Sequence, residues 1–346
     1  MAESKIRVGI VGAGGIGGLG GRENSHAGGY RRCEEAELLA IADFNEERLN
    51  QFGDEWEIAA EHRYGSADEM FEKVNLDVVS VTTDNFHHHQ PVIAAAEAGV
   101  KIIMVEKPLA ISVEWGRKMV EACEANGARL LVDHTRRFLP HFQMLRKMID
   151  DGAIGRIKTI TYNGCRPLLH NGTHNVDYTF FFAPVEPKLV AGFLNDEEVA
   201  DPGGAVMIIC ESDIVIYVNC ICTRKEHYGG CEIAGTEGRI EFHERNGVWR
   251  YGPLVEAPGD GYGMRYDMQP IPDMPKTHDL ADYFYHAARD AVDCFIEDRE
   301  SVSTGRDGLK ALEVITAAHI SHKTGTMVPL PLADGLDRVE IRSTGR

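Results

Sequence analysis

The chain has 346 residues, of which 43% are hydrophobic and 26% charged, and its formal net charge is −18 at pH 7. This length accommodates two domains with separate cores, and the acidic balance argues against nucleic acids and anionic membranes as partners. No apolar run approaches the roughly 20 residues of a membrane span. Because the first strand pattern begins at Ile6, we expect no signal peptide, and we interpret the cysteines as reduced thiols of a cytoplasmic protein.

The first element is a short apolar strand, 6–11, that runs into a glycine-rich turn with the spacing G-x-G-x-x-G. Such glycines allow a tight turn, close approach of a pyrophosphate and tight helix packing, and the following helix offers free N–H groups and a positive dipole to the phosphates. A second apolar strand ends in an acid at the distance expected for binding a ribose diol. An incidental glycine cluster is the alternative. We predict a dinucleotide site formed by Gly12, Gly14, Gly15, Ile16, Gly17 and Asp43.

The stretch 17–26 contains too many glycines for an ordinary first helix, since each interior Gly costs a helix about 1 kcal/mol relative to Ala. We expect an extended loop here, with helix resuming over 27–33. This loop would lie near the cofactor and could carry substrate contacts, and plain flexibility is the alternative.

Strand and helix patterns then alternate as far as residue 133. Capping patterns predict helices that begin after Asn45, Ser66 and Ser112. Buried strands are predicted over 76–82, 101–105 and 129–132. This alternation predicts an α/β fold with a doubly wound parallel sheet, a Rossmann domain that spans 1–133.

Beyond residue 133, strand patterns follow one another with few intervening helices. We expect 134–346 to form an α+β domain for substrate binding and oligomerisation, built on a large, mostly antiparallel, open-faced sheet. The open face needs a cover, which predicts a homodimer or homotetramer. A helix over 173–182, an irregular loop over 253–275 and two closing helices over 279–297 and 305–323 complete the prediction. We expect the active site in the cleft between the domains.

The tripeptide Glu106-Lys107-Pro108 follows one of the predicted strands. In a doubly wound sheet, ligands bind at the carboxyl ends of the strands, so Lys107 is expected beside the nicotinamide. An ammonium there can stabilise negative charge on a substrate oxygen, and Pro108 keeps Lys107 out of helical geometry. The alternative is a solvated lysine at a strand end.

Polar residues also follow the strand that ends at Val81, and they include three adjacent histidines, 87–89. A histidine run resembles a metal-binding tract. Consecutive residues at a helix start point apart, however, so one metal ion cannot use all three. We therefore predict no metal site here.

A histidine-rich segment, 170–177, lies in the second half of the chain. A helix would stack His170, His174 and Asp177 on one face, although Gly172 suggests that the helix begins near Thr173 and leaves His170 on the preceding loop. Histidine is the natural general base near neutral pH, and the same spacing could bind zinc. We favour a proton-transfer set over a metal set, and a helix-cap histidine is a further alternative.

Over nearly its whole length the chain resembles the glucose–fructose oxidoreductase and inositol dehydrogenase family (Gfo/Idh/MocA). The resemblance rests on the glycine turn, its acid and the E-K-P motif, and also on Thr83, Asn85, His88, Arg137-Phe138-x-Pro140, Thr236-Glu237-Gly238 and Arg306-Asp307-Gly308. It implies a sugar oxidoreductase in which Lys107 is catalytic. It also implies that Thr83, Asn85, His88, Glu106 and Lys107 contribute to the cofactor site.

The family's usual second-domain motif is D-x-x-x-H-x-x-D, in which the first Asp and the His form the proton-transfer set. His174 matches the His and Asp177 the final Asp, but His170 stands at the position of the first Asp. Asp84 also stands where a proline usually precedes Asn85. The change at His170 leaves the proton acceptor open and is compatible with a substrate outside the common inositol or glucose set.

We therefore expect reversible oxidation of a secondary hydroxyl on a sugar, sugar derivative or cyclitol. His174 would take the hydroxyl proton and Lys107 would hold the same oxygen. His170 would orient His174 or relay its proton, and Asp177 would bind a neighbouring hydroxyl or hold the histidine. An acidic substrate group could meet three arginines that could equally be structural, Arg136, Arg137 and Arg166.

Asp43 would repel a 2′-phosphate, and neither Phe44 nor Asn45 is basic, so NAD is preferred to NADP. Three alternatives remain open from the sequence. One is a glycoside hydrolase that retains NAD and acts by transient oxidation. The others are a non-catalytic regulator that senses the dinucleotide and a zinc-dependent variant of the enzyme.

Overall fold

A computed structural model describes residues 5–165, 167–195, 199–222, 229–258, 263–275 and 280–342. The chain divides into two compact units, one of Met1–Leu139 with Thr277–Leu309 and one of Pro140–Lys276 with Lys310–Arg346. The strands in chain order are β1 Ile6–Val11, β2 Ala36–Ala42, β3 Arg63–Tyr64, β4 Val78–Val81, β5 Ile102–Val105, β6 Arg129–Val132, β7 Ile157–Cys165, β8 Pro187–Leu194, β9 Gly204–Cys210, β10 Val215–Cys222, β11 Gly230–Gly235, β12 Gly238–His243, β13 Val248–Glu256, β14 Met264–Tyr266, β15 Gln269–Pro270 and β16 Val328–Pro329.

The α-helices are α1 His26–Arg31, α2 Glu46–Glu55, α3 Ala67–Lys73, α4 His89–Glu97, α5 Val113–Ala125, α6 Pro140–Asp150, α7 Gly172–Phe182, α8 Leu280–Glu297 and α9 Gly305–Thr324. Short 3-10 helices cover Ala60–His62, Thr135–Phe138, Glu211–Asp213, Glu244–Asn246 and Leu336–Arg338. Within the described ranges, no helix is both long and apolar enough to cross a membrane.

The first unit contains a parallel six-stranded sheet in the order β3-β2-β1-β4-β5-β6. Strands β4 and β5 are buried along their whole length, as expected for a sheet covered by helices on both faces. The strand order reverses between β1 and β4, and ligands bind beyond the carboxyl ends of strands at such a point. The predicted doubly wound parallel sheet is confirmed.

Local sequence signals set the helix starts in this unit. The predicted caps are confirmed, because each cap side chain accepts the backbone N–H three residues on: Asn45 from Arg48, Ser66 from Glu69 and Ser112 from Trp115. Helix α1 begins only at His26 and ends at Arg31, so the glycine-rich stretch before it forms the predicted loop.

Helix α8 belongs to the first unit, although it lies far along the chain. Its residues Ala287, Ala291 and Val292 share a hydrophobic core with Ile10 and Met104 of the parallel sheet. The units therefore interleave in sequence, which differs from a single boundary after residue 133. A domain boundary predicted from the order of strand patterns cannot take account of a later helix that packs on an earlier sheet.

The second unit contains a ten-stranded sheet in the order β14-β13-β12-β11-β7-β10-β9-β8-β16, with β15 paired to β13. Most neighbours in it are antiparallel, whereas β7 and β10 run parallel, so the predicted mostly antiparallel sheet is confirmed. The irregular loop predicted over 253–275 was wrong in part. The end of β13 pairs there with β14 and β15, because the exposed edge of β13 offers backbone groups for pairing.

An aromatic cluster packs helix α7 into the second unit. The ring of Phe142 on α6 lies 5.7 Å from Tyr178 and 5.8 Å from Phe182 on α7, between ring centroids. It also lies 5.5 Å from Phe242 and 5.9 Å from Trp249. Aromatic rings at these separations contribute beyond their buried area, so the cluster fixes α7 against α6 and the sheet.

Candidate active site

The three glycines of the turn after β1 meet different surroundings. A Cβ on Gly12, whose φ is 103°, would lie 2.9 Å from the backbone of Thr82 and Thr83. A Cβ on Gly17 would lie 2.3 Å from the carbonyl oxygen of Gly12, whereas a Cβ on Gly14 would meet nothing within 4 Å. Gly12 and Gly17 therefore permit close packing, and Gly14 leaves the backbone open, as approach of a pyrophosphate requires.

The backbone amides of this turn suit an anion. In the part of the chain that the structure describes, the N–H groups of Gly14, Gly15, Ile16 and Gly17 donate to no protein acceptor. Consecutive free N–H groups form a concave site for phosphate oxygens. These residues therefore fit the dinucleotide that the spacing predicted.

The expected helix N-terminus does not supply this site, and that prediction was wrong. The N–H groups of His26 and Ala27, at the start of α1, donate to the carbonyl oxygens of Ile16 and Gly17, both at 3.0 Å. The next N–H, of Gly28, donates to the side chain of Ser25 at 3.1 Å. The long loop shifts the start of the helix, so its first donors are used within the protein.

Asp43 follows β2, and only 8% of its surface is exposed. Its carboxylate accepts the N–H of Ala13 at 2.7 Å and the N–H of Asn45 at 2.8 Å, and Arg48 Nη2 donates to it at 3.0 Å. Asp43 thus ties the glycine turn to the end of β2. The sequence argument overlooked Arg48, because it considered only the two residues that follow Asp43 and not the next helical turn.

Two threonines follow β4 at the same edge of the sheet. Thr82 Oγ1 donates to the carbonyl oxygen of Gly12 at 2.7 Å and locks the glycine turn. Thr83 Oγ1 is buried without a hydrogen-bond partner among the described residues. A buried hydroxyl without a partner costs free energy unless a ligand or water satisfies it, which fits a polar ligand here. Asn85, two residues on, is half-buried.

The three adjacent histidines point to three different environments. His87 Nδ1 lies 2.8 Å from Asp84 Oδ1, and the ring of His89 stacks on Trp115 with centroids 4.0 Å apart. His88 is buried, with Nδ1 3.0 Å from the carbonyl oxygen of Pro108 and Nε2 3.2 Å from that of Thr83. Burial lowers the pKa of His88, and the neutral ring, which carries one N–H, donates to only one of these two carbonyl oxygens.

The E-K-P motif follows β5 directly, at the predicted carboxyl end of the strand. The backbone N–H of Lys107 donates to Glu106 Oε2 at 3.0 Å. The peptide bond between Lys107 and Pro108 is cis. The bond to Glu106 holds the lysine backbone at the end of β5, next to the end of β4.

A buried charge cluster lies beneath this motif, and the sequence analysis missed it. His26 Nε2 lies 3.3 Å from Glu106 Oε1 and 3.3 Å from Asp133 Oδ2. His26 Nδ1 lies 3.2 Å from Ser80 Oγ, which also contacts the Tyr30 hydroxyl at 3.1 Å. Their positions in the sequence could have predicted the two carboxylates of this cluster. Glu106 and Asp133 directly follow neighbouring strands whose ends meet at one edge.

Burial by itself disfavours an imidazolium, but the two carboxylates outweigh it and raise the pKa of His26 to about 9. Burial likewise favours the neutral form of Glu106, yet His26 and Lys107 hold the pKa of Glu106 below its usual range. For Asp133 burial prevails and raises the pKa. At neutral pH His26 is therefore protonated between the two carboxyl groups.

Among the described residues, His26, Glu106 and Asp133 form the one group of three potential metal ligands whose atoms lie within 4.8 Å of one another. The positive charge on His26 accounts for its contacts with both carboxylates at 3.3 Å. Neither the histidine run at 87–89 nor the segment 170–177 forms such a group in the described ranges.

In the second unit, α7 begins at Gly172 and leaves His170 on the preceding turn, as predicted. His174 is the one residue of α7 that is not buried, and Asp177, one turn on, is 1% exposed. The helix thus carries a half-buried imidazole three residues before a buried carboxylate. His170 does not join their helical face, because the helix starts after it.

A further carboxylate, missed in the sequence, anchors the turn before α7. Asp201 accepts the backbone N–H of Leu169 at 2.7 Å and of His170 at 3.0 Å. Two charge-assisted bonds to adjacent amides fix the path of the chain. Asp201 therefore sets where His170 lies relative to the start of α7.

The arginines proposed for an acidic substrate differ in their surroundings. Arg137 is buried in the first unit, where Nη1 donates to the carbonyl oxygen of Val302 at 3.0 Å and lies 3.2 Å from Asp307. Arg137 and Asp307 therefore form a structural ion pair. Arg136 is half-buried, and Arg166 lies outside the described residues.

The fold and the open glycine turn define a dinucleotide-binding protein. A family model described as "Oxidoreductase family, NAD-binding Rossmann fold" matches 6–134, and its companion, "Oxidoreductase family, C-terminal alpha/beta domain", matches 146–330. The chain belongs to this family, GFO_IDH_MocA, and the resemblance inferred from the motifs is confirmed. The protein is an oxidoreductase whose cofactor is NAD.

Known relatives are similar over most of the chain. D-apiose dehydrogenase of Paraburkholderia graminis is 26% identical, covering 88% of this chain and 86% of its own. Inositol 2-dehydrogenase of Rhizobium meliloti is 27% identical, covering 90% and 96%. A solved structure of levoglucosan dehydrogenase in complex with NADH and L-sorbose is 21% identical and has a TM-score of 0.80, and the match covers 95% of this chain and 100% of that one.

The surroundings of two glycines predict that one substitution lowers stability and the other weakens cofactor binding. Gly12→Ala should lower the free energy of unfolding by about 1–3 kcal/mol, because the residue must keep a positive φ against adjacent backbone. Gly14→Ala should leave unfolding unchanged and weaken NADH binding by roughly tenfold, because the new methyl group occupies open space that the ligand needs. Denaturant titration and NADH fluorescence measure the two effects.

Gly65→Ala is the matched control, since a Cβ there also meets nothing within 4 Å. It should change neither quantity. Unaltered NADH affinity in Gly14→Ala would contradict the prediction that the pyrophosphate approaches the backbone at Gly14.

The buried cluster predicts a stability change with pH. A histidine whose pKa is raised in the folded state stabilises the fold fully below its unfolded pKa, near 6.5, and this stabilisation is lost as pH rises towards the folded value. Between pH 6 and 8, the free energy of unfolding should fall by about 1–2 kcal/mol more in the parent protein than in His26→Gln. Urea titrations at both pH values measure the difference.

His87→Gln is the control, because this side chain is 65% exposed, and it should retain the parent's decline. The same decline in His26→Gln would show that His26 is not a buried cation.

Proposed function

We propose that this protein reversibly oxidises a secondary hydroxyl group of a sugar, sugar derivative or cyclitol, with NAD as the hydride acceptor. The observation that carries the proposal is the position of Lys107 at the carboxyl end of β5. The open glycine turn and the unpartnered Thr83 hydroxyl follow strands β1 and β4 of the same sheet. An ammonium at this edge suits a substrate oxygen that gains negative charge.

NAD supplies the electrophilic nicotinamide carbon that accepts the hydride. Gly14, Gly15 and Ile16 would bind its diphosphate through backbone amides, and Asp43 would bind the adenosine ribose. The remaining residues of the proposed cofactor site support the turn and the strand ends, and they are Gly12, Gly17, Thr83, Asn85, His88, Glu106 and Lys107.

The reaction removes a proton from the hydroxyl oxygen and a hydride from its carbon, which leaves a ketone. We assign Lys107 to hold the oxygen and His174 to accept the proton. His174 is half-buried on a helix whose other residues are buried, and this partial access supports the role, because a general base must reach its substrate. His170 would orient His174 or relay the proton, and Asp177, buried one turn on, would hold the imidazole or bind a neighbouring hydroxyl.

The substrate class rests on the relatives. By name, one acts on the sugar D-apiose, one on inositol and one on levoglucosan. These are polyhydroxylated rings with secondary hydroxyl groups. NADP is a weaker candidate than NAD, because the carboxylate of Asp43 disfavours a 2′-phosphate even with Arg48 beside it.

We also propose that a second copy of the chain covers the open face of the ten-stranded sheet. Helix α9 packs on one face, where Gly192 approaches the backbone of Ala318. The opposite face carries Phe193, Tyr217 and Ile221, which are 71%, 41% and 52% exposed. Strands that are apolar on both faces are typical of sheets covered on both sides. The eight free thiols fit a reducing compartment, so a cytoplasmic location is part of the proposal.

Loss of either catalytic side chain should abolish turnover. Lys107→Ala and His174→Ala should each lower kcat by at least about 100-fold, because each removes charge stabilisation or proton transfer in the transition state. NADH affinity should stay within about threefold of the parent, since each variant keeps the glycine turn. NADH formation is measured with a panel of aldoses, uronic acids and cyclitols.

Lys101→Ala and His87→Ala are matched controls with exposed side chains in the first unit, and they should keep full activity. A parent protein that binds NAD yet reduces it with no member of the panel would contradict the proposed substrate class. Full turnover in Lys107→Ala or His174→Ala would contradict the catalytic role proposed for that residue.

The proposed assembly predicts a change in mass in solution. Tyr217→Glu should convert the oligomer to a monomer, because a charge would replace an apolar contact across the sheet face. Light scattering after size-exclusion chromatography measures the mass. Phe44→Glu, at an exposed position in the first unit, should leave it unchanged, and a monomeric parent protein would contradict the assembly.

A further inference from the structure

The loop between the glycine turn and α1 brings an arginine over the phosphate turn. Gly15 has no side chain, and Arg22 Nη1 lies 2.8 Å from the point where a Cβ on Gly15 would stand. The guanidinium therefore fills the space beside the Cα of Gly15, the residue that carries the second of the free backbone amides. A side chain at Gly15 would force it away.

The loop is held in place from several sides. Trp56 Nε1 donates to the carbonyl oxygen of Gly18 at 2.9 Å. Glu55 Oε2 accepts the N–H groups of Gly20 at 2.7 Å and Gly21 at 3.1 Å. Arg22 itself bonds through its backbone, with its N–H 3.3 Å from the carbonyl oxygen of Gly18. Its own carbonyl oxygen accepts from the hydroxyl of Ser25, which is buried.

The charge of Arg22 is not used elsewhere in the described part of the chain. No carboxylate there forms an ion pair with its guanidinium, whereas the nearby Arg31 pairs with Glu57 at 2.8 Å. The side chain is exposed, so it can meet a ligand without moving other groups. An unpaired cation above free amides points to an anionic ligand.

The phosphate turn also needs a source of positive charge. A helix that starts at the turn would supply about half an elementary charge through its dipole. Here the helix starts later, and its first N–H groups bond to Ile16, Gly17 and Ser25. The free amides of the turn carry only partial charges, and a guanidinium provides a full one.

We propose that Arg22 binds the diphosphate of the dinucleotide, as a charged arm that replaces the missing helix N-terminus. The proposal rests on the NAD binding stated above and not on the identity of the substrate. Arg22 acts on affinity and takes no part in proton or hydride transfer.

The test compares ligands with and without the diphosphate. Arg22→Ala should weaken binding of NADH and ADP-ribose by about tenfold and leave binding of adenosine within about twofold. Arg22→Lys should recover most of the loss, since the positive charge remains. The dependence of ADP-ribose affinity on salt should become shallower in Arg22→Ala, because one ion pair is gone. Calorimetry on the full chain measures all of these constants.

Arg31→Ala is the matched control, because it removes the same charge from the same segment while its side chain faces Glu57. It should bind ADP-ribose as the parent does. Equal ADP-ribose affinity in Arg22→Ala and the parent would overturn the proposal. So would an equal loss for adenosine, which would show that the loop only shapes the site.

These measurements need no sugar substrate. Failure of the substrate panel would therefore leave the Arg22 result intact, and an unchanged Arg22→Ala variant would leave the proposed oxidation intact.

Discussion

The contact between the turn after β1 and the end of β4 is the constraint on which the nucleotide site depends. Gly12 lies so close to the backbone of Thr82 and Thr83 that no Cβ fits, and Thr82 Oγ1 donates back to the Gly12 carbonyl oxygen. This contact sits where the strand order reverses. It holds the free amides of the turn beside the residues that follow β4 and β5, so one edge of one sheet carries the residues that we propose for the cofactor site.

Buried charge gives this edge its electrostatic character. The imidazolium of His26 contacts both Glu106 and Asp133. Glu106 in turn accepts the backbone N–H of Lys107. Removing one member of such a cluster leaves an uncompensated buried charge, which is costly. The E-K-P motif thus has two functions that are linked physically, since the same glutamate binds the buried imidazolium and fixes the lysine backbone.

The second unit solves a different problem, which is to present one imidazole from a helix that is otherwise core. Aromatic contacts from Phe142 hold α7 against α6 and the sheet. Asp201 fixes the turn before the helix by two backbone bonds. His174 is left as the one position of α7 that is not buried, so packing decides which polar group of the helix stays accessible.

The sequence by itself determined the elements that local rules govern, namely the glycine turn, the capped helices, the late start of α1 and most strands of both sheets. It also indicated the family, because the E-K-P motif is short and contiguous. Tertiary structure alone decided which distant residues meet. His26 meets Asp133 and Asp43 meets Ala13 through packing of the strand ends, and the path of the loop brings Arg22 beside Gly15. Periodicity and spacing report contacts within a few turns of chain, whereas contacts across strand ends depend on the order of strands in the sheet.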